Sequence, residues 1–484
     1  MDAVEALGGA QQITEEILEI FRQISRCPRP SGHEEAAGKA LEAFLEALGI
    51  GPAERDGAGN LLVSVPPTPG REDRPLLVLQ GHMDMVCAVR PGSGFDRLTD
   101  APVIRVRDGF VRTDGRSSLG ADNHLGNAAV LWLLQKGVPH GPLRLLFTTA
   151  EEVGLVGAAQ VPPRWLEGAW GLLNTDGFHY GRAIAGSAGG RRESYRRTME
   201  ETDCPAGTAL AVEISGGTGG HSGDDIHRGR INAIQALAGF LRDAGCAVAE
   251  FSGGTAHNAI PGRAEAVVVL PDGRADWFRR RWADFAAAAG EAHRETDPHL
   301  RFPLRAVPLP RKVWTADCAR DALDFLATLF NGVCAMHPRF PAVPGASANL
   351  GKVEREGKTL GVMAFLRCAD QREEDRLAAA HDENARRHGF TLSALSRYPG
   401  WPGSPEDPLV GRVCAAFRRV EGREMEVSAV HVGLEPSVLG AKNPAMHLVS
   451  TGPDILDAHS VDERARLDTL PRYAALLAET VGGI

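Results

Sequence analysis

Apolar residues recur along this chain in two periods. Ile17, Ile20, Phe21 and Ile24 fall three and four apart, one face of a helix, and Ala37, Leu41, Phe44, Leu45 and Leu48 repeat the pattern. Ser31 followed by Glu34 reads as a capping box opening the second of these helices, and Gly49 ends it. Short continuous apolar runs at 61–65, 76–79, 143–148 and 171–174 read as strands, with a helix from about 123 to 135 between two of them. Buried strands alternating with helices predict an α/β fold: a mostly parallel central sheet with helices on both faces.

The style changes at Gly186-Ser187-Ala188-Gly189-Gly190 and again at Tyr398-Pro399-Gly400-Trp401-Pro402-Gly403. After the second break, helices over 409–419 and 470–481 resume the first pattern. This predicts a discontinuous catalytic domain, 1–185 plus 400–484, interrupted by an inserted α+β lid over 186–399. Inside the insert, strand, helix, strand, strand and helix are expected at 210–214, 231–242, 247–251, 264–270 and 277–292. The same order is expected again at 300–307, 317–329, 348–353, 361–366 and 372–386, offset by about 90–100 residues. Two readings stand here, a duplicated unit and one irregular α+β domain.

Composition narrows the classes. A length of 484 residues suggests about three domains or fewer. A net charge of −9 argues against nucleic acid or an anionic membrane as partner. Residues 1–12 lack the basic and apolar regions of a signal peptide, and no run of about 18 apolar residues suits a membrane span. Eight scattered cysteines without a C-x-x-C pair read as reduced thiols of a cytoplasmic protein.

The chemistry gathers where these elements end. His82-Met83-Asp84 follows the strand at 76–79, and an acid two residues beyond an imidazole can fix the ring of a metal-binding histidine. Asp122 starts a helix, where an aspartate is commonly an N-cap, a role that does not exclude binding metal. Glu151-Glu152 follows the strand at 143–148. Two adjacent acids repel unless a cation neutralises one, which leaves the other free to accept a proton. Asp176 closes the strand at 171–174, and His459 sits in a loop before the last helix. Singly, each residue type is common as a surface pair, a cap or an acidic turn. Together, at the ends of elements of one α/β unit, they form the inventory of a two-metal hydrolase.

The ordered set Gly81-His82-Met83-Asp84, Gly120-Ala121-Asp122-Asn123, Thr149-Ala150-Glu151-Glu152, Asn174-Thr175-Asp176 and His459 resembles the co-catalytic zinc peptidases that include aminoacylase and carboxypeptidase G. More closely, the chain resembles the aminoacyl-histidine dipeptidases, also called cytosol non-specific dipeptidases. That likeness rests on Cys27-Pro28-Arg29-Pro30-Ser31-Gly32-His33-Glu34-Glu35, Gly219-Gly220-His221-Ser222-Gly223, Ile226-His227, Gly253-Gly254-Thr255 and Asn258-Ala259-Ile260-Pro261. Tyr398-Pro399-Gly400-Trp401, His431-Val432-Gly433-Leu434-Glu435 and His459-Ser460-Val461-Asp462-Glu463 extend it to nearly the whole chain.

The resemblance implies two zinc ions per chain, with manganese or cobalt as substitutes. One would take His82 and Asp176, the other Glu152 and His459, and Asp122 would bridge them. Asp84 would steady His82, and Glu151 would be the general base. Arg367 and Asn258 would hold the substrate's C-terminal carboxylate, and His221 would donate to the oxyanion. The implied substrates are unblocked dipeptides, Xaa-His among them, and the implied assembly is a homodimer. Single-lid relatives exchange the lid histidine between subunits, whereas a duplicated lid would let His221 act within one chain. Three departures from the family pattern, His124, Pro436 and Val461, bear on substrate or metal preference and remove no ligand. The rivals are a deacylase or carboxypeptidase on the same scaffold, and a metal-binding protein without catalysis.

Overall fold

The computed structural model describes residues 3–484. The chain divides into two compact units: residues up to Ser187 together with Trp401–Ile484, and Ala188–Gly400.

The first unit is built on an eight-stranded sheet. Its order is Glu54–Arg55, Leu61–Val65, Leu143–Thr148, Leu77–His82, Gly171–Asn174, His447–Ser450, Arg182–Ser187 and Glu426–Val430. The centre is parallel: Leu77–His82 lies between Leu143–Thr148 and Gly171–Asn174, and the latter runs parallel to His447–Ser450. Antiparallel pairs enter toward the edges. The central strands are buried along almost their whole length, which is why they read as unbroken apolar runs. Helix Ala121–Lys136 packs on Leu77–His82 and against helices Ala10–Ile24 and Leu470–Gly483. It is buried from Ala121 to Leu133, as a helix enclosed on all sides must be.

One expected cap does not form. Helix Glu35–Ala47 has Glu34 at its N-cap with no side-chain cap bond, so no capping box forms. Ser31 Oγ instead donates to Asp84 Oδ2 at 2.7 Å, and Glu34 Oε1 accepts from Gly32 N at 2.8 Å and Ala150 N at 2.9 Å. Local helix chemistry has lost to partners distant in sequence. At Asp122 the bland alternative, a helix cap, is not what the structure has. Gly120, at φ 67°, occupies the N-cap, and Asp122 has an extended ψ of 106°.

The second unit holds a nine-stranded antiparallel sheet. Its order is Leu304–Ala306, Thr208–Ile214, Ala264–Leu270, Ala247–Gly254, Pro344–Glu356, Thr359–Cys368, Gly189–Thr198 and Thr391–Tyr398, with Gly332–Met336 pairing on Pro344–Glu356. Each half has the chain order β-α-β-β-α-β and the spatial strand order fourth, first, third, second. Ala233–Arg242 and Ala275–Ala292 are the helices of one half; Ala316–Thr328 and Gln371–Arg387 are those of the other. The halves join through their second strands at Gly253↔Val353 and Gly254↔Lys352.

The repeat is therefore nested rather than tandem. The first strand of one copy, Gly189–Thr198, precedes the entire other copy. The run at 300–307 does not open a second copy; Leu304–Ala306 closes the first by pairing with Thr208–Ile214. An edge strand that closes a unit and a strand that opens one carry the same local pattern. Gly189–Thr198 itself is masked in the sequence by its four arginines. Its buried Glu193 accepts from Tyr195 Oη at 2.7 Å and Arg191 Nε at 2.8 Å, and lies 2.7 Å from His381 Nδ1.

Candidate metal centre

His82 ends a fully buried strand, and its ring is held from behind. Nδ1 lies 3.1 Å from the carbonyl oxygen of Asp84 and 3.4 Å from Asp84 Oδ1. Nε2 faces Asp122 Oδ1 at 2.9 Å and Asp176 Oδ1 at 3.5 Å. The other oxygen of the same aspartate, Asp122 Oδ2, lies 2.9 Å from His459 Nε2, which is 3.1 Å from Glu152 Oε2. One carboxylate thus addresses two imidazoles with its two oxygens. The sets His82–Asp122–Asp176 and Asp122–Glu152–His459 each gather their donor atoms within 4.8 Å, and so does His82–Glu151–Glu152.

Backbone bonds fix these side chains. Asp84 Oδ1 accepts the N–H of Glu151 at 3.0 Å, and Oδ2 accepts that of Glu152 at 3.2 Å, so one carboxylate sets both the His82 ring and the acidic pair. Ala150 and His459 sit in left-handed backbone, at φ 49° and 63°. Gly81 has room for no side chain: a Cβ there would stand 2.1 Å from Asn123 Oδ1. Asn123 Nδ2 in turn donates to the carbonyl of Thr175 at 2.8 Å, tying the start of the helix to the segment that carries Asp176.

The charges do not balance within the protein. Burial would discharge His82, but the Asp176 and Asp122 carboxylates prevail and raise its pKa well above the ordinary value. Against the same burial, hydrogen bonds to Asp122 and Glu152 push His459 up to about 11. Asp122, opposed by burial, is held far below the carboxylate range by the two histidines. Glu151 is raised well above it, first by burial and then by repulsion from Glu152, Asp176 and Glu435. Burial and the Asp122 charge also raise Asp176 and Glu152. Four carboxylates thus compete for two imidazolium charges. Glu152 Oε1 is buried with no hydrogen-bond partner among the described residues. Excess buried negative charge, mixed nitrogen and oxygen donors and one orphaned carboxylate oxygen fit a pair of divalent cations.

Two buried acids near this site escape a pattern reading. Glu435, fully buried, accepts from Gln80 Nε2 at 2.5 Å and Thr148 Oγ1 at 2.8 Å, and burial pushes it up to about 7. Glu463 accepts backbone N–H groups of residues 119–122, and burial likewise pushes it up to about 7. Their only sequence signal is membership of the motifs at 431–435 and 459–463.

The remaining candidates come together in the second unit. Arg367 is buried, with its guanidinium 4.5 Å above the Phe365 ring. Its Nη2 lies 3.0 Å from His221 Nε2, and its Nε donates to Ser222 Oγ at 3.3 Å. Because an arginine nitrogen only donates, His221 Nε2 accepts, and Nδ1 carries the proton toward Asp224 Oδ2 at 3.0 Å. Ser222 N donates to the carbonyl of Asn258 at 2.8 Å. Burial, then the charges of Arg192, Arg367 and His221, depress neighbouring His257 to about 4.

Comparison with known proteins places this geometry. The pattern of peptidase family M20/M25/M40 matches residues 78–482. Over 470 residues the chain is 30% identical to the cytosol non-specific dipeptidase of Escherichia coli (strain K12), covering 96% of each protein. It is similar to the crystal structure of aminoacylhistidine dipeptidase from Vibrio alginolyticus, with a TM-score of 0.88 and 28% identity over 97% of this chain and 96% of that one. A tripeptidase from Staphylococcus aureus subsp. aureus Mu50 shares the fold, with a TM-score of 0.57 and 17% identity over 97% of this chain and 98% of that one. Among the described residues no helix is long and apolar enough to cross a membrane. The chain belongs to peptidase family M20/M25/M40 and is a metallopeptidase.

Proposed function

We propose that this protein is a cytoplasmic metallo-dipeptidase that hydrolyses unblocked dipeptides with broad specificity, Xaa-His among them. The observation that carries the reading is Asp122, each of whose oxygens lies 2.9 Å from a different histidine Nε2. Two zinc ions, one held by His82 and Asp176 and one by Glu152 and His459 with Asp122 shared, would polarise the scissile carbonyl and the attacking water. Manganese or cobalt suits the same donors.

Glu151 takes the proton of the attacking water and passes it to the leaving amine. Burial, then repulsion from Glu152, Asp176 and Glu435, raises its proton affinity before any cation is bound. Asp84 orients this base through the Glu151 N–H and the His82 ring through Nδ1. In the second unit, Arg367 and Asn258 hold the substrate's C-terminal carboxylate, and His221 donates to the oxyanion. An Arg367 fork relieved of its contact with His221 can bind a carboxylate with two parallel hydrogen bonds. On this reading residues 1–185 and 400–484 form the catalytic domain, and 186–399 form a substrate-binding lid. The assembly is a homodimer, as the resemblance implies.

The test is hydrolysis of Gly-Gly, Ala-Ala, carnosine and an N-acetylated dipeptide by metal-stripped protein, before and after zinc or manganese is restored. Metal-dependent cleavage of the free dipeptides with the acetylated one spared is expected. Cleavage of the acetylated compound alone would move the protein to the deacylase or carboxypeptidase branch.

A further inference from the structure

Arg29 and Glu463 are ionisable side chains sealed in the first unit, at 0% and 3% exposure. Each directs its polar atoms at the same short piece of backbone. Arg29 Nη2 donates to the carbonyl oxygens of Gly120 at 3.0 Å and Leu119 at 3.4 Å. Glu463 Oε2 accepts the N–H groups of Leu119 and Gly120, both at 2.8 Å; Oε1 accepts those of Ala121 at 2.8 Å and Asp122 at 3.3 Å. Residues 119–122 are therefore gripped by a guanidinium on their carbonyl side and a carboxyl group on their amide side. Gly120 allows the grip: at φ +67°, a Cβ there would stand 2.3 Å from Arg29 Nη2 and 2.7 Å from Met85 Sδ.

This arrangement is a costly way to cap a helix. Arg29 Nε and Nη1 are buried with no hydrogen-bond partner among the described residues. A half-satisfied buried guanidinium stabilises a fold poorly, and an apolar side chain would do as well. What the clamp does secure is the direction of Asp122, whose extended ψ of 106° departs from the helix that follows. Glu463 also lies on the segment that carries His459, so one loop both presents an imidazole to Asp122 Oδ2 and holds the Asp122 backbone.

We propose that Arg29 and Glu463 are positioning residues, a guanidinium and a carboxyl group on opposite sides of the 119–122 peptides, which together aim Asp122 so that two metal ions can share it. The inference rests on the reading of Asp122 as the shared ligand. Simple capping would cost folding stability alone; positioning costs metal affinity.

The experiment uses the full chain and three readouts: zinc stoichiometry and affinity by competition with a chromophoric chelator, the Tm of the metal-free protein, and kcat and KM for Ala-Ala. Arg29→Met and Glu463→Gln are expected to weaken binding of the second zinc equivalent by about 10–100-fold and to lower kcat more than KM, with partial rescue in Arg29→Lys. Gly120→Ala, which displaces the guanidinium, is expected to act in the same direction; with Arg29→Lys it decides the matter should Arg29→Met fail to fold. Two zinc equivalents bound with wild-type affinity by folded Glu463→Gln and by a folded Arg29 or Gly120 variant would overturn the proposal, and a lowered Tm alone would reduce the clamp to a cap. Asp122→Asn separates the two ideas: if it too binds both equivalents normally, the shared-ligand reading itself has failed.

Discussion

The candidate sites of the two units carry opposite electrostatic demands. In the first, His82 and His459 face Asp122, Asp176, Glu151 and Glu152, and burial leaves acids with raised proton affinity and one carboxylate oxygen orphaned. In the second, buried Arg367 hydrogen-bonds to His221, Ser222 and Tyr398, and burial, then the charges of Arg192 and Arg367, press His257 down to about 4. Low dielectric magnifies both imbalances. One cluster calls for cations and the other for an anion. On the proposed reading, a dipeptide supplies that anion as its C-terminal carboxylate: the first cluster holds the metals and the second reads the substrate.

The largest effect expected from attacking this division is at Glu151. If Glu151 is the proposed general base, Glu151→Gln should lower kcat by roughly 10²–10⁴ while the protein still binds its metals. Loss of metal in that variant, read by elemental analysis, would make Glu151 a ligand instead. Next comes Arg367→Ala. Removing a charge-assisted contact worth roughly 2–3 kcal/mol should cut kcat/KM for a free dipeptide about 30–150-fold and leave metal stoichiometry unchanged. If kcat/KM held, the second cluster would have no part in reading the substrate.

A third prediction concerns stability in the second unit alone. Burial opposes ionisation of Glu193, but His381, Tyr195 and Arg191 hold its carboxyl below the ordinary range. A group depressed in the folded state stabilises above its unfolded pKa and loses that contribution as pH falls through the folded one. Glu193→Gln should therefore cost about 1–3 kcal/mol at neutral pH, with the gap to wild type closing in acid; urea titrations across pH measure it. The smallest effect is expected at Ser31→Ala. Losing one hydrogen bond to Asp84, about 1 kcal/mol, should lower kcat/KM by roughly fivefold and leave the helix at Glu35–Ala47 intact by circular dichroism. A loss of helix content would restore the cap that the structure denies.

Legibility followed locality. The strands at 61–65, 143–148 and 171–174 could be read because a strand buried on both faces is one apolar run, and its end is visible where polar residues begin. That also made His82, Glu151, Glu152 and Asp176 conspicuous, each just at or past such an end. Ser31 and Glu34 misled for the same reason. Their spacing satisfies a local capping rule, but their partners, Asp84 and the N–H of Ala150, lie far along the chain. Arg29, Glu435 and Glu463 had no periodic signal, because a buried charge is defined by what compensates it.

The sequence by itself determined the kinds of elements, the breaks near 186 and 400, and the side chains able to bind a cation or move a proton. All of these depend on residues close together in the chain. Only the tertiary structure decided that Asp122 would show one oxygen to His82 and the other to His459, and that Gly189–Thr198 would complete a unit whose other strands come much later. It alone set Arg29 and Glu463 on opposite sides of the same four residues. Those outcomes follow from closing the sheets and burying charges beside one another, where distance in space replaces distance in sequence.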